Sequence, residues 1–186
     1  MKITLLRHAE VQEEYRGRYN GHIDIGLSKK GKAQAKALAH KFEDIVFDRV
    51  YCSDLLRAKE TLQPFTQTQN VIYTPMLREK SWGEYEGMSY EQIVACGIEY
   101  KNFTQWIEAL GGEDIQNYTQ RIEDFFTKEI FTLACEDVLI VTHSGVIKTL
   151  YAFVKKISLE DAFAKELHYG DGIVFDTKTQ TFIPIK

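Results

Sequence analysis

Arg7 and His8 stand side by side where an apolar run, residues 3–6, gives out. A short apolar run of this kind reads as a buried strand, and in an open α/β sheet ligands bind just beyond the carboxyl ends of the strands. A second run, Val138-Leu139-Ile140-Val141, ends in Thr142-His143-Ser144-Gly145, with a helical pattern from Val146 onward. Two strands that each deliver a histidine at that end can bring both imidazoles to one crevice, although about 135 positions separate them along the chain. Arg57 falls in the first turn of a helix that follows a further strand over 47–52, which sets it near the same edge. A guanidinium is a planar, permanently charged fork suited to phosphoryl oxygens, and an imidazole can act as nucleophile or proton carrier near neutral pH.

The elements that must hold these groups can be read in order. After the first strand comes a loop over 11–26 with three glycines, and Ser28 then caps a helix whose Ala35, Leu38, Ala39 and Phe42 keep the i, i+3, i+4, i+7 spacing. Its lysines, Lys29, Lys30, Lys32, Lys36 and Lys41, read as a solvated face. Ser53-Asp54 is placed to cap the helix that carries Arg57, and residues 71–73 read as a short third strand before Pro75. Strand-helix alternation predicts an α/β three-layer sandwich, a mainly parallel sheet with helices on both faces. Over 77–115 the rhythm changes to aromatics mixed with glycines and charges, which predicts a mostly helical insert over the crevice within a single domain spanning 1–186. Helical spacing resumes from Ile115 to Leu133, and residues 173–175 and 182–183 read as edge strands around a turn at 176–180.

The bulk composition narrows the class. The chain has 186 residues, 44% hydrophobic and 27% charged, which are globular values and argue against disorder. A net charge of −4 implies no basic face for nucleic acid. Cys52, Cys96 and Cys135 are odd in number and match no CxxC or disulfide framework, so reduced structural thiols and a cytoplasmic location are expected. The apolar start is too short for a signal peptide, and no stretch approaches the roughly 20 apolar residues of a membrane-spanning helix.

Taken together and in this order, Leu-Arg-His at 6–8, Gly-Arg-Tyr-Asn-Gly-His at 17–22, Ser-Asp-Leu-Leu-Arg-Ala at 53–58, Leu-Arg-Glu at 77–79 with Gly-Glu-Tyr-Glu-Gly at 83–87, and Val-Thr-His-Ser-Gly at 141–145 resemble the histidine phosphatase superfamily, in its phosphoglycerate mutase-like branch. The likeness covers nearly the whole chain. The loop and the segment 77–87 look most like the α-ribazole phosphatases of cobalamin synthesis. The sequence departs from the family pattern at Ala9, where glycine is usual, and at Glu14, where many members have asparagine and where a carboxylate turned to the phosphate would repel its dianion.

The resemblance implies roles. His8 attacks phosphorus as a neutral imidazole, its other nitrogen fixed by a backbone carbonyl. Arg7 and Arg57 grip the phosphoryl oxygens, and His143, if cationic, neutralises equatorial charge. Glu79 protonates the leaving alkoxide and then activates water, with Glu84, Glu86 and Glu10 as competing carboxylates. Asn20, Gly21 and Ser144 complete the phosphate pocket with backbone donors, while His22, His40 and His168 lie outside the chemistry. The implied enzyme is a metal-independent phosphomonoester hydrolase with no cofactor, acting as monomer or homodimer on a small phosphorylated metabolite. Three rivals remain: a phosphoglycerate mutase-type phosphotransferase, disfavoured because mutases carry extra segments; a non-catalytic phospho-ligand module, disfavoured by Glu79; and a metal hydrolase, for which neither HExxH nor an Asp-rich strand end is present.

Overall fold

The computed structural model describes residues 1–66, 68 and 70–185. Its strands are β1 (Lys2–Arg7), β2 (Arg49–Ser53), β3 (Ile72–Thr74), β4 (Asp137–Thr142), β5 (Gly172–Asp176) and β6 (Thr181–Pro184). They form one mixed sheet in the order β3-β2-β4-β1-β5-β6, in which the first four strands run parallel and β5 and β6 close one side antiparallel. Only β6 of the last two lies at an edge. β5 is interior, because it pairs with β1 on one side and β6 on the other.

Central strands covered on both faces must be apolar at successive positions, and β1 is. Ile3 and Leu5 pack with α5 (Ile115–Asp124) and α6 (Ser144–Lys155), while Leu6 turns to the layer that contains α1 (Lys29–Lys41) and α2 (Leu56–Leu62). The result is the three-layer α/β sandwich expected from the strand-helix alternation. All three of these β1 side chains are fully buried, so truncating one to alanine would cost about 2–5 kcal/mol. Among the described residues, no helix is long and apolar enough to cross a membrane.

Local capping follows the sequence at α1, where Ser28 Oγ accepts from the Gly31 amide. At α2 it does not. Ser53 and Asp54 are both committed elsewhere, and it is Asp24 Oδ1, from the long loop, that accepts from the Leu56 amide at 2.7 Å. The helical run after Ile115 is also less regular than its spacing suggests, since α5 gives way to a wider π-type turn over Phe125–Glu129 and a tight turn over Ile130–Thr132. The segment 77–115 carries two short helices, α3 (Tyr90–Ala95) and α4 (Phe103–Ala109), joined by loops, so less of it is helical than expected. Its own small core forms around Trp82, Ile93, Trp106, Ile107 and Leu110. Cys52 is buried, with burial pushing its thiol pKa well up, whereas Cys96 is exposed.

Candidate active site

The sheet register brings the predicted groups together. Arg7 on β1 is opposite Thr142 on β4, and Val141 is opposite Cys52 on β2, so the three strands end level. His8, His143 and Ser53 therefore emerge at one edge, and the His8 amide donates to the Thr142 carbonyl at 2.8 Å. The two imidazoles lie with ring centroids 5.1 Å apart. A cavity of about 160 Å³ opens there, lined among others by Arg7, His8, Asn20, Gly21, Arg57, Glu79, Ser144 and Gly145.

His8 is 6% exposed, and its Nδ1–H donates to the Ala9 carbonyl at 2.9 Å, which leaves the lone pair on Nε2. Burial, reinforced by the charges of Arg57 and Arg7, holds its pKa well below the ordinary histidine value. His143 is fully buried, and burial, followed by Arg57, pushes it down in the same way. The lowered pKa favours the neutral imidazole while no anion is bound. Its Nε2 lies 2.8 Å from Ser53 Oγ, and its Nδ1 has no partner among the described residues.

The two guanidiniums are held by carbonyl oxygens, which fixes their geometry without neutralising them. Arg57, 1% exposed, donates to Ile23 O at 2.9 Å and Gly21 O at 2.6 Å, and burial lowers its pKa to about 10, still charged at neutral pH. Gly21 adopts φ +45°, and a Cβ there would lie 2.4 Å from Glu86 Oε1, so this turn of the loop requires glycine. Arg7 donates to the Leu167 carbonyl, lies 4.0 Å from the ring centroid of Tyr169, and has no partner for Nε among the described residues. Burial lowers its pKa as well.

Of the four carboxylates that competed in the sequence, only Glu79 lines the cavity. Its Oε1 accepts from the Tyr118 hydroxyl at 2.8 Å and the Lys80 amide at 3.0 Å, and its Oε2 accepts from the Gly145 amide at 2.9 Å. A Cβ on Gly145 would fall 2.1 Å from Oε1, so the first turn of α6 carries glycine at the point where the carboxylate passes. The Glu79 loop is tied down by a two-point ion pair between Arg78 and Asp54 at 2.7 and 2.6 Å. That pair is where Asp54 is spent in place of a helix cap. Glu10 turns to Ser28 and Lys30, Glu86 braces the loop through the His22 amide and Ser81, and Glu84 is exposed.

Other expectations resolve individually. Glu14 is exposed in a tight turn and does not line the cavity. Asn20 spends Nδ2 on the Tyr15 carbonyl, and its Oδ1 is buried without a partner among the described residues. His22 lies behind the site, with Nε2 2.8 Å from the Glu79 carbonyl oxygen. Sequence reasoning missed Tyr118, which lies inside the helical run 115–133 with no role assigned, and Tyr169, which packs on both Arg7 and His8. It also misread Ser53 as a helix cap, although the strand-end argument that singled out His8 and His143 applies equally to Ser53.

Two strand-end histidines, a buried and a half-buried arginine and one anchored carboxylate define a phosphoryl-transfer class of site on an α/β sandwich. The chain belongs to the histidine phosphatase superfamily, branch 1, which it matches over residues 3–183, and it is a phosphatase. It is 34% identical to the adenosylcobalamin/alpha-ribazole phosphatase of Salmonella typhimurium over 158 residues, 82% of this chain and 78% of that one. Its fold superposes on the crystal structure of the alpha-ribazole phosphatase from Shigella flexneri with a TM-score of 0.84 and 26% identity, covering 100% of this chain and 95% of the other. It is also 25% identical to the 2,3-bisphosphoglycerate-dependent phosphoglycerate mutase of Bartonella henselae, across 99% of this chain and 96% of the mutase. Extra segments therefore do not separate this chain from every mutase, contrary to the argument from length.

Proposed function

We propose that the protein hydrolyses a small phosphomonoester through a phosphohistidine at His8, with Glu79 as the acid and then the base. The observation that carries this is the His8 Nδ1–Ala9 hydrogen bond, which presents an unprotonated Nε2 inside a cavity shared with both arginines. In the first step Nε2 forms a bond to phosphorus as the ester P–O bond breaks, and the Glu79 carboxyl gives its proton to the departing oxygen. In the second, Glu79 takes a proton from water, the hydroxyl attacks phosphorus, and the N–P bond breaks to release phosphate and neutral His8.

Arg7 and Arg57 supply the positive charge that offsets the phosphoryl oxygens, and Ser144 and Gly21 flank them in the pocket. An arriving phosphate dianion favours the protonated form of its neighbours, so His143 can gain a proton on binding. The names of the relatives make α-ribazole 5′-phosphate the first substrate to try. We take the chain as a single unit with 77–115 capping the site, working in the cytoplasm as a monomer or homodimer on free metabolites; its net charge of −4 gives a nucleic acid no attractive field.

The test is trapping. Protein quenched during turnover should carry one phosphoryl group that is lost in acid and kept in base, and His8→Ala should carry none. Undiminished labelling of His8→Ala would overturn the assignment. Glu79→Gln should then slow release of an alkyl alcohol far more than release of p-nitrophenol, because a good leaving group needs no proton; equal losses would remove Glu79 from the acid role.

A further inference from the structure

The chain from Phe163 to Asp171 forms one wall of the phosphate cavity. Phe163 and Tyr169 line that cavity, the Leu167 carbonyl accepts from Arg7, and the Gly170 amide donates to the His8 carbonyl at 3.2 Å. Lys165, Glu166 and Leu167 of the same segment border a separate cavity of about 250 Å³, which lies between α6, α7 (Leu159–Phe163) and the β5–β6 hairpin. The two cavities share no lining residue.

The walls of this second cavity are apolar and its charge is cationic. Ile147, Leu167, Ile173, Phe182 and Pro184 supply carbon, and the rings of Phe182 and Tyr151 pack at 4.9 Å. Lys148 and Lys165 supply charge, and neither forms an ion pair among the described residues. Half-buried Lys148 spends one of its three donors on the Phe163 carbonyl at 3.0 Å, and Lys165 Nζ lies 5.4 Å from the centroid of the Tyr151 ring. The one carboxylate on the lining, Glu166, has a side chain 85% exposed, lies 3.5 Å from His168 Nε2 and pairs with neither lysine. A small apolar hollow with a few convergent polar groups is the usual form of a ligand site.

We propose that this cavity is a second, non-catalytic binding site, that it takes a small amphipathic monocarboxylate, and that its occupant weakens phosphate binding in the neighbouring cavity. The apolar body fills the space against Phe182, Ile173 and Leu167, and the carboxylate meets the unspent donors of Lys148 and Lys165. The coupling is electrostatic. After burial, the charge of Arg7 is the strongest influence lowering the Lys148 pKa, so the two cations share one field. A carboxylate paired with Lys148 cancels part of the potential that draws a phosphate dianion to Arg7, by about fourfold in affinity for charges on the order of 10 Å apart in a solvent-like medium. By linkage, phosphate weakens the carboxylate by the same factor.

The probe is 3-phenylpropionate, followed by the amide and methyl NMR signals of Ala162, Leu167 and Ile173. Its titration should saturate with a Kd of about 1 mM or tighter. 3-Phenylpropan-1-ol, the same body without the charge, should bind at least about threefold more weakly and leave phosphate affinity unchanged. Lys148→Met and Lys165→Met keep an apolar stem, and each should weaken the acid at least about threefold without weakening the alcohol. Lys165 is exposed, so its variant reads the site at no cost to folding. Inorganic phosphate should bind about fourfold more weakly when the acid is saturating. Shifts that do not saturate, equal affinity for acid and alcohol, or an affinity unmoved by Lys165→Met would overturn the site. Shifts centred on Asn20 and Ser144, with phosphate displaced as readily in Lys165→Met as in the unaltered protein, would put the acid in the phosphate cavity and overturn it as well. Phosphate affinity unchanged at saturation would overturn the coupling. Since every arm reads binding alone, none of these outcomes depends on turnover or on a phosphohistidine.

Discussion

The Tyr118 hydroxyl donates to Glu79 Oε1 at 2.8 Å from a helix whose other buried side chains belong to the hydrophobic core. Tyr118 is 1% exposed, and burial, followed by the neighbouring Glu79 charge, raises its pKa well above the ordinary tyrosine value, so it remains a donor throughout the working range. With the Gly145 amide on the other oxygen, it fixes the carboxylate in one orientation.

Tyr118→Phe keeps the ring in the core and removes that donor. Stability should fall by about 1–2 kcal/mol. Turnover of an alkyl phosphate should fall about tenfold through kcat, with p-nitrophenyl phosphate less affected, since only the alkyl ester needs a well-placed acid. A purely structural Tyr118 would lower stability and leave the ratio of the two rates unchanged.

Ser53 is a positioning residue for His143. The Leu55 amide donates to Ser53 Oγ at 3.4 Å, and His143 Nε2 lies 2.8 Å from the same oxygen, so we expect the hydroxyl to donate to Nε2 and the imidazole hydrogen to sit on Nδ1. Ser53→Ala should shift the histidine toward the other tautomer, seen as an exchange of its two ¹⁵N chemical shifts. Affinity for inorganic phosphate should drop about tenfold. Unchanged shifts and unchanged phosphate affinity would remove the role.

The histidine pair sets a pH dependence of stability. Unfolded histidines take up protons near pH 6.5, and His8 and His143 in the fold do so only well below it. Between those limits the unfolded chain binds more protons, so stability rises with pH; it is complete above about 6.5 and is lost on acidification, by up to about 1.4 kcal/mol per pH unit for each histidine. Urea melts at a series of pH values should show this slope, and His143→Gln should roughly halve the pair's share. For the same reason the acid limb of kcat/KM set by His8 should lie well below 6.5; a limb at the ordinary histidine value would mean that His8 is not held neutral by its surroundings.

How much could be read beforehand varies with the distance over which each feature is decided. The apolar run before Arg7, the matching run before His143 and the spacing around Arg57 are local patterns, and a strand that ends in a polar group at the sheet edge keeps that group there. The same locality explains Ser28, whose partner is three residues away in its own helix. Where a partner came from another element, the local reading failed. Ser53 and Asp54 look like a helix cap until β4 places His143 against one and the loop of Glu79 places Arg78 against the other.

By itself the sequence determined the sandwich, the strand-end histidines and the arginines, because hydrophobic periodicity and residue type act over a few neighbours. Only the tertiary structure shows why Glu79, which the resemblance singled out, is the carboxylate that enters the cavity. Glu10, Glu79, Glu84 and Glu86 are chemically near-equivalent, and the choice among them rests on the Tyr118 hydroxyl and the Gly145 amide, contributed by two helices that start more than thirty residues beyond Glu79. The protonation of His143 was decided there too, since its burial and the charge of Arg57 beside it come into being only when β1, β2 and β4 are packed with their ends level.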